Sequence, residues 1–108
     1  MQTSLVTILL ALAVLTSLPA RADAGKAKFE KLCAGCHGDE GHADTKKGKK
    51  LKAADYRDVA ELKAPDALDY VQKTVRENKK HRKVTKKVSD EDLATIAQYV
   101  QKLAAAPK

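Results

Sequence analysis

The stretch Cys33-Ala34-Gly35-Cys36-His37, "CAGCH", holds both cysteines of the 108-residue chain, and a histidine directly follows the second. Cysteines three apart on a helical turn present their sulfurs to the same side. A disulfide between them would close a trivial loop and constrain little. A thioredoxin-like redox pair belongs beside a βαβ pattern, and no strand alternation of useful length occurs in the chain. A zinc site needs about four convergent ligands; adjacent Cys36 and His37 do not easily serve one ion, and there is no second C-x-x-C.

C-x-x-C-H is also the attachment signature of c-type haem. Cys33 and Cys36 would form thioethers with the two vinyl edges of one porphyrin, and His37 would stand beneath the iron as its proximal ligand. The second nitrogen of His37 is expected to donate to a backbone carbonyl, which sets the tautomer. Composition agrees with a bound apolar cofactor. One Phe, three Tyr and no Trp leave few large side chains for a core, in a chain near the size where protein core alone is marginal.

Upstream of the motif, residues 5–18, "LVTILLALAVLTSL", form an uncharged apolar run followed by Pro19 and "ARADA". This is the order of a signal-peptide h-region and its cleavage site. The A-x-A rule is met by cleavage after Ala22 or after Ala24, with the first favoured. The expected division is a leader over 1–22 and one domain over 23–108. The run is short for a membrane span, which takes about 20 apolar residues, and it lacks the polar stripe of a buried amphipathic helix. The "MQTS" start departs from the usual n-region in having no Lys or Arg, and the lack of a cysteine at the cleavage site argues against a lipid-anchored form.

Downstream, three helical patterns stand out. The first covers about 24–33, with Ala27, Phe29 and Leu32 as its apolar positions. The second is expected to begin with Pro65 at its first position, with Asp66 and Asp69 favourable at the positive end of the dipole. Leu68, Val71 and Val75 fall on one stripe, and Asn78 ends the helix in the left-handed region. The third begins at Ser89 with a near capping box, repeats Leu93, Ile96, Val100 and Leu103 at helical spacing, and ends in a frayed "AAAPK". The Gly- and Lys-rich connection between the first two predicts only a short helical turn near 53–60. The fold class is all-α with long loops.

These features together resemble the small class I cytochrome c family over essentially the whole of residues 23–108. Gly25 and Phe29 match its N-terminal helix, where a small residue and an aromatic pack on the C-terminal helix, and Tyr99 matches the partner aromatic. The resemblance implies the small cytochrome c fold, with those two helices packed against each other and loops wrapping one covalently bound haem. Family members carry a second axial ligand, normally methionine, in a frame like G-x-x-M-P-x-F-x-x-x-L-S-D-E. Here "NKKHRKVTKKVSDE", residues 78–91, fits without a gap. His81 takes the methionine position, Asn78 that of the glycine, Val84 that of the aromatic, and Arg82 replaces the proline.

The one methionine is Met1, which export would remove, so another group must serve as sixth ligand or the position is open. His81 lies 44 residues beyond His37, enough chain to reach the opposite haem face. His42 follows His37 by only five residues and is expected to stay near the proximal side. Lys79, Lys80 and Lys83 would have to lose a proton from a reference pKa of about 10.4. The cationic surroundings of His81 favour a neutral ring, the form that binds metal.

The resulting expectation is a periplasmic one-electron carrier, not an enzyme, with one haem c held by Cys33, Cys36, His37 and His81. The rival is a haem enzyme or gas sensor with an open or displaceable sixth position, and no distal acid–base pair accompanies His81 to support it. The formal charge is +7, and loss of 1–22 would remove Arg21 alone among charged side chains, leaving +6. Lys46, Lys47, Lys49, Lys50 and Lys52 on one loop and the basic run 79–87 on another would ring the haem edge and steer acidic redox partners. Few aromatics stand among these cations, and export separates the chain from nucleic acid, so that partner is not expected. The domain is expected to be monomeric, with no span after leader removal.

Overall fold

A computed structural model describes residues 18–108 of the protein. Residues 1–17, which carry most of the expected leader, lie outside the described residues. Six α-helices follow in order: α1 (Leu18–Leu32), α2 (Ala34–His37), α3 (Lys46–Leu51), α4 (Ala67–Glu77), α5 (Arg82–Thr85) and α6 (Asp90–Ala104). Short 3-10 turns at Tyr56–Asp58, Ala60–Lys63 and Lys79–His81 join them, and there is no strand among the described residues. The fold is the all-α one expected. α1 starts earlier than the apolar pattern suggested and runs unbroken past Ala22 and Ala24.

The centre of the fold is the crossing of α1 on α6. Gly25 permits it: a Cβ there would sit 2.5 Å from the Thr95 carbonyl oxygen, so any larger residue would push the helices apart. One turn later Phe29 is fully buried. Its ring packs 5.3 Å from that of Tyr99 and edge-on at 6.1 Å from that of Tyr56, so three of the chain's four aromatics form one cluster. Edge-to-face pairs of this kind add about 0.5–1.5 kcal/mol each beyond burial. Ala27, expected on the apolar side, faces solvent.

α6 begins as its sequence indicated. Ser89 Oγ accepts from the Asp92 N–H and the Asp92 carboxylate accepts from the Ser89 N–H, completing the capping box. Asp92 also receives the Lys28 ammonium from α1, which with the Ser89 N–H holds its carboxyl below the usual range. Leu93, Ile96 and Val100 are buried, and Ala104, assigned to a frayed tail, is fully buried at the end of the helix.

α4 differs from expectation at both ends. Pro65 and Asp66 form a turn, and the first helical bond runs from the Tyr70 N–H to the Asp66 carbonyl. Asp66 is therefore the cap, and the buried stripe is Ala67, Val71 and Val75, which leaves Leu68 exposed. Residues four apart stack on one helix face, and Leu68 is rotated roughly 100° from Ala67. Asn78 is extended rather than left-handed, with φ −79° and ψ 123°, and its side chain caps the next turn by accepting from the Lys80 N–H.

Candidate functional site

The CAGCH segment leaves α1 with Cys33 N–H still bonded to the Phe29 carbonyl, then closes into α2 as the N–H groups of Cys36 and His37 both reach the Cys33 carbonyl. Gly38, at φ 79°, ends that turn. The connection read from sequence as mostly loop contains α3, which clamps the motif. Thr45 caps α3 by accepting from Gly48 N–H, and its hydroxyl lies 2.9 Å from both the Gly35 and the Cys36 carbonyl oxygens. Gly48 presses so closely that a Cβ would fall 2.0 Å from the Cys36 carbonyl oxygen. A threonine cap followed by a glycine inside a Lys-rich run was the available sequence signal for this contact.

His37 is fixed from two directions. Its Nδ1 lies 3.3 Å from the Ala54 carbonyl oxygen, and because a carbonyl only accepts, that nitrogen carries the proton. The ring stacks on Tyr56 at 4.6 Å with 26° between planes. Burial, above all, lowers the proton affinity of His37; the Ala54 bond acts against this, and His81 adds to it. Tyr56 begins the 3-10 turn capped by Asp55, whose carboxyl the Arg57 guanidinium holds down to about 2. Neither Tyr56 nor the Ala54 carbonyl stood out in the sequence, since backbone acceptors leave no trace there and Tyr56 lies in no periodic pattern.

His81 ends the turn Lys79–His81, and its Nδ1 lies 3.0 Å from the Thr74 carbonyl oxygen on α4. The two histidines therefore have the same arrangement, each with Nδ1–H given to a backbone carbonyl and Nε2 left as an acceptor. Their ring centroids are 6.3 Å apart with 23° between planes. Two imidazole–metal bonds of about 2 Å each, extended by half a ring width at either end, span a distance of this order.

Cys33, Cys36, His37 and His81 line one cleft of ≈ 280 Å³, walled by apolar side chains including Val71 and Val75 of α4 and Leu93, Ile96 and Val100 of α6. Well-packed interiors hold few voids larger than a water molecule, so a cleft of this size along the stripes of two helices fits a large apolar group. The cysteines are free thiols; burial, and then proximity to Cys36, push the Cys33 thiol up to about 11. No three His, Cys, Asp or Glu side chains gather as a metal-binding group among the described residues. His42 is not part of the cleft wall and has its Nδ1 3.6 Å from a Glu40 carboxylate oxygen.

Residues 20–100 match the family model described as cytochrome c oxidase, cbb3-type, subunit III. The chain belongs to this family of c-type cytochromes. No curated protein and no solved structure matches it. As a c-type cytochrome it carries covalently bound haem c, which supplies a one-electron iron couple, and its role is electron transfer. The donor set lining the cleft suits that group: two thiols on one turn and two imidazoles that each leave a lone pair open. Among the described residues of the cytochrome, no helix is long and apolar enough to cross a membrane.

One cation from each basic cluster, Lys52 and Lys80, lines the cleft. Lys46, Lys47, Lys49, Lys50 and Lys52 are all exposed, as are the six Lys and Arg of 79–87. Lys80 donates from Nζ to the Leu51 carbonyl at 2.6 Å, joining the two segments.

Proposed function

We propose that this cytochrome is a periplasmic single-electron carrier rather than an enzyme, with residues 23–108 as the mature domain and one haem c attached through Cys33 and Cys36. His37 and His81 are its axial ligands. The observation that carries this reading is the pair of imidazoles, 6.3 Å apart across the cleft with both Nδ1 groups anchored on carbonyls. Anchoring sets the tautomer and limits ring rotation before any metal is bound, so little rearrangement accompanies a change in iron charge. The apolar walls keep water away, and the neutral His37 ring is the ligating form. A second imidazole in place of methionine puts the potential below that of His/Met relatives, and the cations of the basic clusters offset part of this shift.

The ferric protein should give low-spin optical and EPR spectra without a methionine-to-iron charge-transfer band, and the reduced protein should resist carbon monoxide. High-spin ferric iron with rapid carbon monoxide binding would replace this reading with that of a gas-binding or catalytic haem.

The lysines of these clusters favour acidic redox partners of the monomeric cytochrome. Screening lengths fall from about 30 Å at 0.01 M salt to about 8 Å at 0.15 M. The bimolecular electron-transfer rate with an acidic partner should therefore drop steeply over that range. A rate independent of salt would remove the steering role.

A further inference from the structure

We infer that Arg76 is a positioning residue for His81: its guanidinium locks the return path of the loop that carries this histidine, and so keeps the imidazole from leaving the cleft. The inference rests on the bis-histidine reading above.

Arg76 lies on α4, two residues after Thr74, whose carbonyl oxygen takes His81 Nδ1 at 3.0 Å. One guanidinium nitrogen donates to the Thr85 carbonyl at 2.6 Å and to the Thr85 hydroxyl at 2.8 Å. The other donates to the Val88 carbonyl at 2.9 Å and to the Asp90 carboxylate at 3.0 Å. These acceptors mark the end of α5, the approach to α6 and the first residue of α6. A single side chain of α4 thus ties down the chain downstream of His81, while Thr74 on the same helix holds the ring.

The loop needs such an anchor. Residues 79–87 carry six cations and no anion, so the segment repels itself. Its apolar attachments are the half-buried Val84 and, directly after the segment, the buried Val88. Placing a seventh cation beside this run is unfavourable unless its charge is met by acceptors, and here three oxygens of the loop and one carboxylate meet it. The planar fork of arginine satisfies several oxygens at fixed angles, which a lysine ammonium on a flexible stem does not do.

Carbon monoxide can reach the sixth position only in molecules where His81 has swung away. Its apparent affinity and binding rate therefore scale with the fraction of the open state. Loosening the loop raises that fraction without removing the ligand itself.

The test uses the holo-cytochrome with the substitutions Arg76→Ala, Arg76→Lys and His81→Ala, following carbon monoxide binding to the reduced form beside the ferric spectrum. For Arg76→Ala the binding rate should rise about tenfold or more, with a ferric ground state still largely low-spin and helical circular dichroism unchanged. Arg76→Lys should fall between it and the parent, and decides the matter should the alanine form not fold. Carbon monoxide binding at the parental rate in the folded Arg76 variants, with His81→Ala fast and high-spin, would overturn the positioning role alone. A His81→Ala protein that stays low-spin and inert would overturn the bis-histidine reading, and this inference with it. Loss of thermal stability in Arg76→Ala without faster carbon monoxide binding would mark the residue as purely structural and also overturn the inference.

Discussion

Replacing His81 by alanine should convert the ferric cytochrome from low-spin to high-spin and open its reduced form to carbon monoxide. In the parent, the state with His81 displaced is a minor one, of the order of 0.1–10 % for such equilibria. The variant holds the sixth position open in every molecule, so the carbon monoxide rate should rise by roughly 10- to 1,000-fold. Added imidazole should restore the low-spin spectrum, because the cleft walls and the Thr74 carbonyl that orient the ring remain in place. The fold should survive: His81 lies on a short turn, and the crossing of α1 on α6 does not involve it. A His42→Ala protein serves as the control and should keep the parental spectrum, since His42 is outside the cleft wall. A low-spin spectrum that persisted in His81→Ala and vanished in His42→Ala would reverse the assignment.

Phe29→Ala should be the most destabilising single change in the core. Phe29 is fully buried between Tyr56 and Tyr99, where α1 meets α6. Truncating a buried phenylalanine costs about 3–5 kcal/mol, as lost transfer free energy plus an unfilled cavity. Domains have roughly 5–15 kcal/mol in total, and one this short stands toward the lower end. At about 4–8 °C per kcal/mol for a domain of this size, thermal unfolding followed by far-UV circular dichroism should move down by at least about 12 °C. Tyr56 stacks on His37 and meets Phe29 edge-on, so the haem absorption bands of the variant should also broaden below the melting transition. Phe29→Leu, which keeps most of the volume, should cost about 1.5 kcal/mol or less. A melting point within a few degrees of the parent in Phe29→Ala would show that the cofactor, rather than the helix crossing, supplies most of the stability.

Local signals in the chain anticipate much of this molecule. Ser89 and Asp92 announce the start of α6, because a capping box is satisfied within four residues and needs no tertiary partner. The all-α class follows from apolar spacings of three and four, and the need for a non-protein centre follows from the scarcity of aromatics. That Gly25, Phe29 and Tyr99 mark the helix crossing was implied by the resemblance to class I cytochromes c rather than by local signals, and the packing bears it out.

Other features were out of reach of local reading. α3 has no apolar periodicity, being four lysines, a glycine and a leucine, and it is held by a threonine hydroxyl and the close approach of Gly48 to the CAGCH carbonyls. Leu68, expected on the buried stripe with Val71 and Val75, is exposed, because the face α4 turns to its neighbours is centred on Ala67, Val71 and Val75, which only packing decides. Arg76 looks like any exposed helical cation until the loop folds back onto it.

What the sequence alone determined, then, is the three longest helices and the chemistry available: two thiols, an adjacent imidazole and no methionine beyond Met1. Only the tertiary structure decided that the ring of His81, 44 residues from that of His37, stands 6.3 Å from it. That distance depends on carbonyls of Ala54 and Thr74, and every residue type carries a backbone carbonyl, so no spacing of letters records which one a ring will meet.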